Sequence, residues 1–200
     1  MTPGIDERRA FLRTKMAIDT QFSDDEWNDY AQHWEAVDFE KNEHLIRAGE
    51  VEQYLYHVHS GIIRGYTLHE GQELTGGFSY DGDFSGAIDS LYTAQKETRL
   101  NLQALDLTHC VRIHRDQLDA LYDQYHWLER FGRRFAEKIA VGLGLREVAV
   151  LSYSAEERFD RLWNNAPRVF QLVPQKHLAS YLGMTPETFS RIRRKRLGRS

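Results

Sequence analysis

The chain has 200 residues, 41% of them hydrophobic, and a formal net charge of −4, enough length and apolar content for a buried core in one or two domains. No run approaches the roughly 20 apolar residues of a membrane span, and the opening MTPGIDERRAFLRTK lacks the apolar centre of a signal peptide, so a cytoplasmic protein with no membrane partner is expected. A single cysteine, Cys110, excludes an internal disulfide and a cysteine-held iron–sulfur or zinc centre, and is expected as a small buried apolar residue.

A charged leader helix is predicted around residues 5 to 18, followed by a short helix in FSDDEWNDYAQHW. There Ser23 and Glu26 have capping-box spacing ahead of Trp27, Tyr30 and Trp34. From Val37 to about His114 the character changes to short alternating or β-branched runs closed by glycine, among them Gly49, Gly61, Gly71, Gly77, Gly82 and Gly86. That pattern predicts an antiparallel sandwich or jelly roll with tight turns. After Arg115 the period lengthens. Tyr125, Leu128, Phe131, Phe135, Ile139 and Leu143 recur every three or four residues, the stripe of a long amphipathic helix. A helix of this length between two domains often pairs with its symmetry mate, so Leu128, Phe131, Phe135, Ile139 and Leu143 are the expected homodimer interface. Gly142 and Gly144 cost about 1 kcal/mol each relative to alanine and predict close approach of another backbone or a kink. SYSAEERFDRLWNNAP then opens a further helix, with Ser154 as N-cap and Pro167 beyond its end.

Residues 175 to 194, QKHLASYLGMTPETFSRIRR, have the spacing of a helix-turn-helix. Leu178, Leu182, Met184, Phe189 and Ile192 supply the apolar contact between two crossed helices, and Ala179 is small where they meet. Gly183 falls at the turn. Thr185 caps the second helix, Pro186 takes its first position and Glu187 lies near the positive end of the dipole. From Thr185 onward there are six basic residues and Glu187 as the sole acid, on an otherwise acidic chain. A basic tip on an acidic body points to a localised polyanion contact, with double-stranded DNA as partner. In a major groove, Glu187, Thr188, Ser190, Arg191 and Arg194 would face base edges, with Thr185 also at the DNA-binding surface, while Gln175 and Lys176 would lie near phosphates.

With these motifs the sequence resembles the CRP/FNR superfamily of bacterial transcription regulators over almost its whole length. The resemblance rests on FEKNEHLIRAGEVEQYLYHVHSGIIRGY, DGDFSG, AEERFDRLW and ASYLGMTPETFSRIRRK. It implies an α+β architecture: an N-terminal antiparallel β-roll of cyclic-nucleotide-binding type with leading helices over residues 1–115, a dimerisation helix over 116–152 and a helix-turn-helix domain over 153–200. The chain stops about five residues after the recognition helix, so the wing found in many members is expected to be short or absent. RNA polymerase stands as a further candidate partner.

The resemblance also marks an effector pocket at Gly82, Asp83, Gly86, Ala87, Thr98 and Arg99. Members that bind cyclic AMP use a Gly-Glu pair for the ribose and an Arg-Ser or Arg-Thr pair for the phosphate. Here the first pair is Gly86-Ala87, and Glu97 or Thr98 stands where the phosphate arginine belongs, with Arg99 one or two positions late. A one-residue slip in a strand turns a side chain to the opposite face, so cyclic AMP is not expected to bind and no cofactor is assigned. Two rival readings have sequence support. A cupin-like metalloenzyme would use the paired imidazoles of His57-Val58-His59, although no glutamate follows at cupin spacing. A dimeric adaptor would turn the basic helix against an acidic protein. No nucleophile elbow such as G-x-S-x-G is present, and no catalytic or metal-ligating residue is assigned.

Overall fold

A computed structural model describes residues 2–93 and 96–198. The leader forms α1 (Ile5–Met16) and the capping-box segment forms α2 (Asp24–Ala31). The Ser23 hydroxyl accepts from the Glu26 amide and the Glu26 carboxylate accepts from the Ser23 amide, which satisfies two donors that a helix start otherwise leaves orphaned.

Eight strands follow: β1 (Glu35–Phe39), β2 (His44–Ile46), β3 (Tyr54–Ser60), β4 (Ile62–His69), β5 (Gln72–Tyr80), β6 (Phe84–Ser85), β7 (Asn101–Ala104) and β8 (Thr108–His114), with a single helical turn, α3 (Ile88–Leu91), between β6 and β7. They form two four-stranded sheets, β1-β8-β3-β6 and β2-β7-β4-β5, with antiparallel pairing of β1 and β3 to β8, β3 to β6, and β2 and β4 to β7, and register shifts at His44/Ile46 of β2 and Val58/Ser60 of β3. One core, with Phe39, Tyr56, Val58, Ile63 and Leu102, is drawn from both sheets. A second joins Leu12 of α1 and the Trp27, Tyr30 and Trp34 rings to Val111 and Ile113 of β8. Cys110 is fully buried in the first core, where burial pushes its thiol up to about 12; it is an inert packing group. Gly61 joins β3 to β4 at φ +106, and a Cβ there would stand 2.7 Å from the Leu107 carbonyl. Both conformation and space require glycine at this turn.

The helical half comprises α4 (Arg115–Gln124), α5 (His126–Ser152), α6 (Ala155–Asn165), α7 (Val169–Leu172), α8 (Gln175–Tyr181) and α9 (Pro186–Leu197). Tyr125 leaves helical geometry at φ −120 and ψ 104, so the long stripe belongs to α5 only from His126 onward. α5 runs on through Gly142 and Gly144, and nothing lies within 4 Å of where a Cβ would stand at either.

Two compact units result, Met1–Thr67 with Phe78–Ala136, and Leu68–Gly77 with Glu137–Ser200. These differ from boundaries at 115 and 152. α4 and the start of α5 belong to the first unit because Leu118, Leu121, Trp127, Leu128 and Phe131 pack into its aromatic core. The tip of the β4–β5 hairpin belongs to the second.

Candidate nucleic-acid interface and effector site

In the second unit, α8 and α9 are joined as the sequence spacing predicts. Gly183 takes φ +63, with its amide on the Ser180 carbonyl and the Met184 amide on the Ala179 carbonyl, the paired bonds of a left-handed helix stop. The Thr185 hydroxyl accepts from the Thr188 amide, and Pro186 fills the first helical position. Behind the turn lies an aromatic cluster: Phe159 and Phe189, both without exposure, have ring centroids 5.3 Å apart, and Phe170 packs edge-on to Phe159 at 5.2 Å. Leu178, Ala179 and Ile192 complete this core.

Three side chains that the sequence pattern did not single out hold the motif in place. Arg158 of α6 donates to the Leu182 carbonyl at 2.8 Å and to the Gly183 carbonyl at 3.3 Å. Arg146 of α5 donates to the Gly76, Thr75 and Tyr181 carbonyls and lies over the Tyr181 ring at 4.7 Å. Ser180 of α8 donates to the Glu73 carbonyl and accepts from the Thr75 amide. Arginine and serine at such positions carry no local signal, because their carbonyl partners are distant in sequence.

The charge on α9 is divided. Lys195 pairs with Glu156 at 2.9 Å and Arg196 with Asp160 at 2.5 Å, both carboxylates on α6. Arg191 and Arg194 are exposed and have no carboxylate partner among the described residues. They stand three residues apart on one face, with Ser190 beside them. Gln175 and Lys176 are exposed at the start of α8, and Thr188 is half-buried. Glu187 bonds to its own amide and the Thr185 hydroxyl, which holds its carboxyl below the usual range. Its carboxylate thus acts locally at the helix start. No strand follows α9 among the described residues.

In the first unit, the residues marked as an effector pocket divide into two places. Gly82 and Asp83 form the turn between β5 and β6, with the Gly82 amide on the Val58 carbonyl, the Asp83 carbonyl taking the Val58 amide, and the Asp83 carboxylate taking the Tyr80 amide. Gly86, Ala87, Thr98 and Arg99 cluster separately around α3. The buried Glu52 carboxylate accepts from the Ala87 amide at 3.3 Å and from the Gln53 and Tyr54 amides at 3.1 Å, while the Glu52 amide donates to the Ser90 hydroxyl at 2.9 Å. Burial pushes the Glu52 carboxyl up, against the pull of these amides. Asp89 of α3 accepts from the Thr98 hydroxyl at 2.6 Å and from the Arg99 amide at 2.9 Å. The Arg99 side chain is exposed.

His57 and His59 do not assemble a metal centre. His57 packs between the Phe11 and Phe84 rings, where burial lowers its pKa to about 3, and His59 lies 3.9 Å from Glu7. Among the described residues no group of three His, Cys, Asp or Glu side chains is placed to hold a metal ion, and no helix is long and apolar enough to cross a membrane.

The expected dimer stripe also divides. Leu128 and Phe131 lie in the core of their own unit, and Phe135 packs on Phe84 at 5.2 Å and stacks on Phe131. Leu128 and Phe131 are thus covered within their own unit, while Phe135 is half-buried against it. Ile139 is half-buried and Leu143 exposed. Val141, Leu145, Val148, Val150 and Leu151 are exposed as well, and Val141, Leu145, Val148 and Leu151 share with Gly144 one face of the helix at three- and four-residue spacing.

Residues 36–125 match the cyclic nucleotide-binding domain family. The chain is 30% identical over 165 residues to the fumarate and nitrate reduction regulatory protein of Yersinia pestis, covering 76% of this chain and 65% of that protein. It therefore spans less than two thirds of that relative's length. Among solved structures, FixK2 from Bradyrhizobium japonicum superposes with a TM-score of 0.68 at 21% identity, over 82% of this chain and 86% of that one. CLP from Xanthomonas campestris, described as a c-di-GMP-responsive global regulator, also gives 0.68, at 16% identity over 88% and 92% of the two chains.

Proposed function

From its place in the CRP/FNR superfamily by homology and fold, we propose that the chain is a sequence-specific DNA-binding transcription regulator that acts as a homodimer without cyclic AMP. The observation that carries this is the α9 surface: two arginines, Arg191 and Arg194, stand exposed without carboxylate partners on a helix whose start is capped and on which Lys195 and Arg196 are already paired. Guanidinium groups left free on one face of such a helix suit bidentate readout of guanine. Lys176 and Gln175, at the start of α8, suit phosphate contacts, which position the domain without reading sequence.

The exposed group Val141, Leu145, Val148 and Leu151 supports dimerisation through the second half of α5, with Gly144 admitting a close partner backbone. Two recognition helices would then lie about one DNA turn apart, ~34 Å, on an inverted repeat with half-site centres roughly 10 bp apart. In the β-roll, Ala87 offers no ribose acceptor, and the Thr98 and Arg99 donors are engaged by Asp89, which supports a site closed to cyclic AMP.

The test is selection of duplexes from a random pool by the purified protein at ~150 mM salt, with and without cyclic AMP. An inverted repeat enriched without nucleotide is the expected result. Enrichment only with cyclic AMP overturns the closed-site reading, and salt-dependent binding with no sequence preference overturns the regulator reading in favour of a general polyanion surface.

A further inference from the structure

Thr98 is held in place by bonds that do not involve Asp89. Its amide donates to the Glu50 carbonyl at 2.8 Å, its carbonyl accepts from the Gly49 amide at 2.9 Å, and its hydroxyl oxygen accepts from the Leu100 amide at 2.9 Å. Thr98 is 2% exposed. Its hydroxyl hydrogen and the Arg99 N–H both point to one carboxylate, each to a different oxygen of Asp89. An O–H and an N–H converging on two oxygens of one group form an oxyanion seat, and phosphate and carboxylate satisfy such a pair alike. α3, which carries Asp89, is fixed from its other side by Glu52 through Ala87 and Ser90. The seat thus lies within a domain of the cyclic nucleotide-binding type, preorganised, and filled by the chain itself.

We propose that Asp89 is an internal stand-in for an anionic ligand, occupying the oxyanion seat of Thr98 and Arg99 and setting this domain against nucleotides and other small anions. This rests on the closed-site reading above and names the residue responsible for it. Two effects act together. Asp89 removes both donors from an incoming anion, and its own negative charge repels that anion at short range. Only half-buried, it can be removed without emptying a core position.

The experiment follows the thermal unfolding of the full chain and cyclic AMP binding by calorimetry, for wild type, Asp89→Ala and Asp89→Asn. Inorganic phosphate is compared with chloride at matched ionic strength. The expected result is that phosphate raises the melting temperature of Asp89→Ala in a saturable manner and leaves wild type where chloride leaves it. Cyclic AMP should bind Asp89→Ala about tenfold or more tighter than wild type, since removing one like charge in a partly screened site has at least that effect. Asp89→Asn keeps the shape and an acceptor but lacks the charge; it should show weaker anion stabilisation than Asp89→Ala, and it decides the test if Asp89→Ala fails to fold. The proposal is overturned if neither variant responds to phosphate beyond chloride. Wild type binding cyclic AMP as tightly as the variants would overturn both the proposal and the closed-site reading, whereas DNA selection by wild type stands independently of either result.

Discussion

The two units dispose of their polar groups in opposite ways. In the β-roll, five donors around α3 are engaged from within: Glu52 takes the Ala87, Gln53 and Tyr54 amides, and Asp89 takes the Thr98 hydroxyl and Arg99 amide. In the helical unit, α9 pairs its trailing cations with α6 and leaves Arg191 and Arg194 open. A polar group already satisfied at hydrogen-bond distance gains little from a ligand, because binding exchanges one partner for another. A cation kept in water gains when a phosphate or guanine replaces solvent and releases counterions. The match to the cyclic nucleotide-binding family covers residues 36–125, where Asp89 and Glu52 engage donors from within, whereas the exposed cations Arg191 and Arg194 lie on the helix-turn-helix.

Separating the units by mutation should sharpen this contrast. Phe159→Ala removes the ring on which Phe170 and Phe189 pack and is expected to cost about 3–5 kcal/mol. DNA binding should vanish while the tryptophan near-UV signal of the β-roll, from Trp27, Trp34 and Trp127, persists; joint loss of both would show that the units do not melt separately. The double substitution Leu145→Asp with Val148→Asp changes exposed positions, so melting should stay within about 1 kcal/mol of wild type. Sedimentation should then show monomers with DNA affinity reduced by more than tenfold. Phe135→Asp, by contrast, should destabilise the β-roll itself, because Phe135 packs on Phe84.

Acid should act on the β-roll before the helical unit. His57 is neutral in the fold, with its pKa lowered to about 3 from an ordinary 6.5. The unfolded chain binds the proton first, so His57's contribution is present above about 6.5 and is lost as pH falls from there toward about 3. Melting temperature against pH over that window should slope upward, and His57→Phe should flatten the slope.

Much of this was readable in the sequence where the cause is local. The Ser23–Glu26 capping box, Gly183 at the turn and Thr185-Pro186 at the helix start are set within three or four residues, and the structure shows each as expected. The α5 stripe was readable as a stripe but not in its partner. A period of 3.6 says that a face is apolar and leaves open what covers it, and Leu128, Phe131 and Phe135 turned out to face their own β-roll. The Asp89 seat was not readable at all. It joins residues nine and ten positions apart in sequence, a spacing that neither helical nor strand periodicity marks. Likewise, the count of basic residues at the C-terminus did not show that Lys195 and Arg196 are neutralised by Glu156 and Asp160 on another helix.

The smallest expected effect is also the most telling, because it sets a free cation against a paired one on the same helix. Affinities of wild type, Arg191→Ala and Lys195→Ala would be measured on the selected duplex and on its single-base variants at fixed salt. Arg191→Ala should lose about 1–3 kcal/mol on the selected duplex and relax preference at one base pair. Lys195→Ala, which breaks an exposed ion pair, should change binding by no more than about 1 kcal/mol and leave base preference as it was. Equal losses from the two substitutions on every duplex would contradict the account, since α9 would then act as undivided positive charge rather than as a reader.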